Sequence, residues 1–515
     1  MRTLDDTQLY LPELWATHAE FYPEKTAVIC GERRVGWRAL NEGFNRVANS
    51  LIADGVRPGD KVAVLMTNSI EMLEVMYGIV KARATLVPLS ALLTAEQVAT
   101  LLDDSDACMI IASATTAALA IQAVDHCNGS KLRRKIALGF DESGWDDGKA
   151  WLAEGERGEP PLKYDLRDDF NIIYSSGTTG IPKGIVQTHR ARQHWSYSNA
   201  LELRFDANSV ALATTSLYSN GTWFMILPPM FVGATMVIME QFSPKAFLET
   251  VQKEGVTHTF MVPTQYITTL ADESFETFDL SSLRVMLSAG SPLRQDTKED
   301  ILRRMGPGLF ELYGFSEGFA TIIRPEQIHK RGSVGTPVIG FQLRILDENG
   351  TPLPQGEVGE IAGYGAGLMK EYYKRPEATA EAVWVDDRGR TFLRSGDIGR
   401  QDEDGFLYIL DRKKDMIISG GFNVFPKDIE EVVGTHPDVS DVTVIGIPHD
   451  KWGEAPLALV IPEKGRTPDP ETLRGWANER LAKTQRLAAV EIRDEFPRNA
   501  LGKVLKRFLR EPYWK

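Results

Sequence analysis

Apolar and polar positions switch between two periods along the first half of the chain. Val62–Met66 is a short continuous apolar run, and Ser69–Ala82 then places Ile70, Leu73, Met76 and Val80 at helical spacing. Leu86–Leu89 and Cys108–Ala112 read as strands on either side of a helix over Thr94–Leu102. The same rhythm returns at Ala234–Met239, Pro244–Glu254, Thr257–Val262 and Val285–Ser288. Strands separated by helices predict the α/β class, here a large N-terminal domain of parallel-rich sheets covered by helices.

The pattern changes near residue 332. Gly332–Gly340, Leu343–Leu346, Asp347–Gly350, Glu360–Ala362 and Phe406–Leu410 read as short strands joined by Gly, Asp and Asn turns, a small β-rich subdomain over about 332–412. From Lys413 a separate α+β pattern begins: Pro426–Val433, Val439–Ile447, Ala455–Ile461 and an amphipathic helix over Pro470–Leu481. The expected division is a large domain, 1–412, and a small C-terminal one, 413–515, with no internal repeats.

At 515 residues the chain exceeds a single core. A net charge of -13 argues against a general nucleic-acid binder but leaves room for a local basic pocket. Cys30, Cys108 and Cys127 have neither metal-ligand spacing nor the number for a disulfide framework, and read as thiols of a reducing compartment. Ala207–Met239 carries no charged side chain, yet Pro228, Pro229 and Gly233 would break a spanning helix. It reads as a buried helix turning into a strand. The first residues include Arg2, Asp5, Asp6 and Glu13 and lack an apolar leader core, so a cytoplasmic chain without integral membrane association is expected.

The richest chemistry lies in Tyr174–Ile185, Tyr-Ser-Ser-Gly-Thr-Thr-Gly-Ile-Pro-Lys-Gly-Ile. It follows an apolar strand, Phe170–Tyr174, so the turn sits at a strand's carboxyl end. Gly177, Gly180 and Gly184 free the backbone to aim N–H groups inward as an anion nest requires. Ser175, Ser176, Thr178 and Thr179 add donors, and Lys183 adds a charge suited to polyphosphate. Pro182-Lys183-Gly184 departs from the Gly-Lys-Ser/Thr of the Walker A loop.

This loop resembles the phosphate-binding signature of the adenylate-forming superfamily, and the superfamily's other motifs follow in order. Ser288-Ala-Gly-Ser-Pro-Leu293 looks like its adenine loop, with Ala289, Gly290, Ser291 and Pro292. Glu311-Leu-Tyr-Gly-Phe-Ser-Glu-Gly318 resembles its Tyr-Gly-x-Thr-Glu motif. The resemblance puts Glu311, Leu312, Tyr313 and Gly314 at the nucleotide, Ser316 near the α-phosphate and Glu317 on magnesium, a hard cation suited to carboxylate and phosphate oxygens. Leu393–Gly399 matches the ribose motif through Asp397. In Asp411-Arg-Lys-Lys-Asp415, Arg412 is implied to contact the nucleotide and Lys414 to be the hinge, while Lys413 and Asp415 read as solvated linker charges.

Ile417–Pro426 resembles the hairpin that lines the pantetheine tunnel, through Gly420, Gly421 and Phe422, where relatives often carry Glu instead of Phe. Pro497–Lys506 matches the terminal motif, implying that Lys503 is catalytic; Lys506 and Arg507 read as solvated helix charges. By position in the family, the acyl pocket draws on Trp195, Tyr197, Tyr218, Trp223, Val262, Ala289, Gly314 and Phe319, with Tyr218 standing where many relatives have His.

A carboxylate is already ionised at neutral pH, so attack on the α-phosphate needs positioning and charge neutralisation rather than a base. The resemblance therefore implies an acyl-CoA synthetase using ATP, Mg2+ and coenzyme A. It would form an acyl-adenylate from an aliphatic or aromatic acid, then a thioester after the mobile C-terminal domain rotates about Lys414. A chain that stops after the Lys503 motif favours CoA as acceptor. A stand-alone adenylating enzyme that loads a carrier protein or an amine is the alternative, and a catalytically dead nucleotide-binding relative is disfavoured by Glu317, Asp397 and Lys503. A monomer or homodimer is the family's usual state.

Overall fold

The computed structural model describes residues 8–128, 131–175, 182–419, 422–498 and 504–514. The chain divides into two compact units. One comprises Met1–Glu326, Pro337–Phe341 and Tyr364–Ala382; the other comprises Gln327–Thr336, Gln342–Gly363 and Val383–Lys515.

The first unit holds two large sheets. In one, the strands Lys61–Leu65, Thr85–Pro88, Ala107–Ser113 and Arg134–Leu138 run parallel, and Thr85–Pro88 pairs in parallel with Asp169–Ser175. Two antiparallel partners complete that edge, Lys183–Thr188 and then Glu371–Tyr372. The other sheet runs Val210–Ala213, His258–Met261, Val285–Ala289 and Leu309–Gly314 in parallel, with antiparallel Ala320–Ile323 after them. On its other flank Thr235–Ile238 and Thr26–Cys30 are also parallel. The parallel-rich α/β expectation holds.

Helix boundaries follow local chemistry. Ile70–Lys81 starts where the Ser69 hydroxyl accepts the Met72 N–H, and Ala95–Asp104 starts at a Thr94–Gln97 capping box. The uncharged stretch becomes a short helix, Leu227–Val232, stopped by Gly233 in the left-handed region before the strand Thr235–Ile238. Ala63, Val87, Val98, Ile110, Ile172 and Val186 form one continuous core beneath the first sheet. Among the described residues no helix is long and apolar enough to cross a membrane.

The second unit contains a small sheet built on the long strand Thr391–Gln401. It pairs antiparallel with Gly359–Gly365, Val383–Val385 and Leu407–Arg412. Gly332–Gly340 is not the strand its sequence predicts. Gly332, Gly335 and Gly340 all take positive φ, and only Thr336–Pro337 is extended. Asp347–Gly350 is likewise a turn, closed by Gly350 N–H on the Asp347 carbonyl. Beyond residue 413 a hairpin, Ile417–Ser419 with Phe422–Val424, leads into the helix Pro426–Val433. The long antiparallel pair Val439–His449 and Gly453–Pro462 follows, with Ala489–Ile492 added in parallel. Ile429, Val433, Val444, Leu473 and Ala477 fill its core.

Candidate active site

Strand order places the candidate residues of the first unit. His258–Met261, Val285–Ala289 and Leu309–Gly314 end side by side, with Met261 opposite Ser288 and Ala289 opposite Leu312. Chain segments leaving such carboxyl ends form the usual ligand crevice of an α/β sheet. Val262, Ala289, Gly290 and the Tyr313–Gly318 loop all leave from there.

The strand that leads into the glycine-rich loop ends at Ser175, and the return strand opens at Lys183, which sits opposite it in register. Ser176, Gly177, Thr178, Thr179 and Gly180 lie outside the described residues, as do Gly420, Gly421 and Lys503. Tyr174 fixes the base of the loop by donating its hydroxyl to Asp104 at 2.8 Å, and Arg375 binds the other oxygen of that carboxylate at 2.7 Å.

Glu317 and Lys183 meet through a third residue that the sequence reading missed. Tyr372 donates its hydroxyl to Glu317 Oε1 at 2.7 Å, and the Lys183 Nζ stands 4.7 Å from the centre of the same ring. Burial, with the Glu317 charge beside it, pushes the Tyr372 phenol above its ordinary range, so it stays a donor. Backbone bonds hold the group together. Met369 N–H donates to the Glu317 carbonyl at 2.7 Å, Tyr373 N–H to the Gly184 carbonyl at 2.7 Å, and the Gln187 amide to the Ser316 carbonyl at 2.9 Å. Gly318 has φ 113°, and a β-carbon there would stand 2.1 Å from the Gly367 carbonyl oxygen. The missed signal was the glycine-rich run Gly363–Gly367 ahead of the Tyr372-Tyr373 pair, which has the small-residue character of the other motifs.

Magnesium suits this arrangement: Glu317 offers a half-buried carboxylate with one oxygen held by Tyr372, and Mg2+ binds through one or two carboxylates together with substrate phosphates. Among the described residues no cluster of three His, Cys, Asp or Glu side chains competes for a metal. Glu311 faces a different partner, Lys298 Nζ at 2.6 Å, and burial raises its carboxyl above the ordinary value.

The acyl-pocket candidates separate. Trp195 and the fully buried Phe319 join one aromatic cluster, each packed on Phe341 with ring centres 5.0 and 5.9 Å away. Trp195 donates its indole N–H to the Gly367 carbonyl at 2.9 Å. Tyr197 bonds His194 at 2.7 Å and lies against Phe231. Trp223 is core: it is 2% exposed, bonded to the Leu217 carbonyl, and packed beside Tyr77 and Phe170 under the Arg192 guanidinium. Tyr218 is half-buried, in the turn before the 3-10 segment Asn220–Met225.

In the second unit Asp397 and Arg412 face each other across paired strands, with Arg412 Nε 3.5 Å from Asp397 Oδ1. Ser395 accepts the Asp397 N–H and fixes the turn at Gly396. Of the charges read as solvated, Lys413 is exposed as expected yet also pairs, whereas Lys506 is paired and mostly buried instead. Lys413 reaches Glu360 at 3.1 Å, and Lys506 is mostly buried against Glu430 at 2.7 Å. The reason is local: Glu360, which also takes Arg394, and Glu430, which caps the Val444 N–H, are each held within reach of the lysine. Arg507 is exposed as expected, and Phe422 is 61% exposed at the hairpin.

Motif order and sheet topology are those of an enzyme that uses a nucleotide to activate its substrate. The chain belongs to the AMP-binding enzyme family: the AMP-binding enzyme model matches residues 15–373, and the AMP-binding enzyme C-terminal domain matches residues 428–503. It is 35% identical over 505 residues to a feruloyl-CoA synthase of Amycolatopsis sp, covering 96% of this chain and 97% of that one. It is 31% identical over 509 residues to the fatty acid–[acyl-carrier-protein] ligase ScoC of Streptomyces coeruleorubidus, covering 96% and 95%. Among solved structures, ATP-bound MatB from Rhodopseudomonas palustris superposes with a TM-score of 0.87 at 28% identity, covering 98% of this chain and 99% of that one.

Proposed function

We propose that this chain is an AMP-forming acid–thiol ligase that activates a carboxylic acid with ATP and transfers the acyl group to coenzyme A. The observation that carries the reading is the group Lys183–Tyr372–Glu317, which puts a cation at the base of a glycine-rich loop beside a carboxylate suited to magnesium. Names of relatives agree with it, since feruloyl-CoA synthase and 2-succinylbenzoate–CoA ligase are both CoA ligases.

In the first half-reaction a substrate carboxylate oxygen attacks the α-phosphorus, and the bond from that phosphorus to the β-bridging oxygen breaks. Pyrophosphate leaves carrying the electron pair. Bound Mg2+ supplies charge neutralisation for the phosphates. Lys183 and the hydroxyls of Ser175–Thr179 bind and orient the polyphosphate, Ser316 sits by the α-phosphate, and Lys503 offsets the charge that builds there. Asp397 accepts the ribose hydroxyls, Arg412 steadies that carboxylate, and Ala289–Pro292 with Tyr313 receive adenine.

In the second half-reaction the thiol sulfur attacks the acyl carbonyl carbon, the bond to the phosphate oxygen breaks and AMP departs. Rotation of the domain 413–515 about Lys414 would withdraw Lys503 and present the Gly420–Phe422 hairpin to the thiol's route. The Trp195–Phe319–Phe341 cluster supports an aromatic or aliphatic acid over a charged one. We place the enzyme in the cytoplasm, as three unpaired cysteines favour, and as a monomer or homodimer.

The test is AMP formation across a panel of aromatic and aliphatic acids with CoA, followed by product mass. Acyl-CoA as product supports the reading. AMP release only with a holo-carrier protein or an amine replaces CoA as acceptor; for the carrier protein alone, the ligase ScoC is a precedent. No pyrophosphate release with any acid sinks the adenylation step.

A further inference from the structure

Tyr372 lies outside every motif assigned above, yet it touches two of them. The residue is 8% exposed and belongs to the two-residue strand Glu371–Tyr372, which pairs with Ile185 and Val186 just past the glycine-rich loop. Its backbone N–H is held by the Thr379 hydroxyl at 3.0 Å, which fixes the point from which the ring projects. On one face is the Lys183 ammonium, 4.7 Å from the ring centre; from the ring's edge the hydroxyl reaches Glu317 Oε1 at 2.7 Å.

We infer that Tyr372 is a positioning residue that sets the magnesium carboxylate and the phosphate-loop lysine in one geometry. The inference rests on Glu317 being the magnesium ligand. A carboxylate on a flexible side chain loses rotamer freedom when it binds a metal; the phenol removes that freedom beforehand through Oε1 alone, and no described residue bonds Oε2. A charge-assisted hydrogen bond is strong enough and directional enough for this. The ring does the corresponding service for Lys183. A cation held over an aromatic face is kept from folding onto Glu317, where the two charges would cancel each other and leave less for the triphosphate and the metal. One side chain thus keeps an acid and a base apart at fixed positions.

A core role alone predicts something different from this. Removing the hydroxyl of a purely structural tyrosine would lower stability and leave the metal dependence of nucleotide binding untouched. The experiment is calorimetric titration of ATP into the full chain in MgCl2 and again in EDTA, which needs no knowledge of the acid. The quantity read is the gain in ATP affinity that Mg2+ confers.

For Tyr372→Phe the Mg2+-dependent gain falls about tenfold while affinity in EDTA changes less than about twofold, the scale of one charged hydrogen bond. For Tyr372→Leu affinity in EDTA falls as well, because Lys183 loses its platform. Combining Tyr372→Phe with Glu317→Gln gives a gain no smaller than Glu317→Gln alone. Thermal unfolding of each variant verifies folding, and Tyr372→Phe removes a single oxygen from a ring that stays packed.

An unchanged Mg2+ gain in Tyr372→Phe, with Glu317→Gln losing it, overturns the inference and leaves the magnesium assignment standing. An unchanged gain in Glu317→Gln overturns the magnesium assignment itself.

Discussion

Lys506 and Glu430 form an ion pair of 2.7 Å between the helix Lys506–Arg510 and the helix Pro426–Val433, and the Glu430 carboxylate also accepts the Val444 N–H. Asp411 adds its charge to the same patch and accepts the N–H of Lys427 at 3.1 Å. The pair therefore ties the far end of the chain to the residues flanking Lys414.

Removing one partner leaves the other charge poorly hydrated. Lys506→Met is expected to cost about 2–4 kcal/mol in the second unit, read as a lower unfolding midpoint and faster hydrogen exchange at Val439–His449. Burial works against the Lys506 charge, but Glu430 and Asp411 overcome it and hold its pKa above the ordinary 10.5. A raised pKa gives stability that is complete below pH 10.5 and is lost as pH rises through the folded value. The parent and Lys506→Met should accordingly converge in stability only in strong alkali.

Three histidines give an acid counterpart. His189, His194 and His258 are each pushed down to about 4, in every case first by burial. Their unfolded forms take up protons below the ordinary 6.5, so stability is full above that value and falls as pH drops from 6.5 toward 4. Urea unfolding across that window should show the parent losing more stability than His258→Asn, by close to one proton's worth of slope. Equal slopes would remove His258 from the account.

Gly318 allows no side chain. At φ 113°, and with an added β-carbon falling 2.1 Å from the Gly367 carbonyl oxygen, Gly318→Ala must shift the turn that carries Glu317. We expect destabilisation of about 2–4 kcal/mol and a weakened Mg2+ dependence, measured by thermal unfolding and by ATP titration. Wild-type values in both would show that the turn relaxes freely.

Asp397→Ala should raise the KM for ATP by about 10–100-fold, as removal of a charged hydrogen-bonding group does, with a smaller change in affinity for pyrophosphate. The comparison with adenosine-lacking pyrophosphate isolates the ribose. Loss of pyrophosphate binding to the same degree would instead mean that Asp397 acts on the whole fold.

Lys503→Ala should nearly abolish adenylate formation and spare thioester formation from supplied acyl-AMP. Single-turnover assays of each half-reaction separate the two, and survival of both removes Lys503 from the mechanism.

What could be read from the residues follows a physical divide. Loops proposed to bind phosphate or magnesium need particular backbone freedom and particular atoms, so the candidates Ser175–Lys183 and Ser316–Glu317 announce themselves locally. The helices over Ile70–Lys81 and Pro244–Glu254 do so too, because their spacing and caps lie within one segment. Tyr372 was invisible because its role comes from pairing with Ile185, a contact far along the chain. The ion pair of Lys506 was hidden for the same reason, since a charge on a short helix looks solvated until Glu430 is placed beside it. Gly332–Gly340 failed differently: its apolar positions suit a strand, but three glycines in the left-handed region bend it into turns. Trp223 shows the limit of positional analogy, since its ring is spent on Arg192, Tyr77 and Phe170.

The short strand Glu371–Tyr372 also sets a timetable. During synthesis the strand Lys183–Thr188 emerges long before residues 371 and 372, its edge partners. Until they arrive it presents bare N–H and C=O groups, an open edge able to pair with another chain. The nascent chain therefore passes through a stage in which most of its first sheet can form while the strand Lys183–Thr188 still lacks its edge partner. Ribosome-bound chains cut short before residue 371 should be prone to aggregation, whereas those extended past 382 should not.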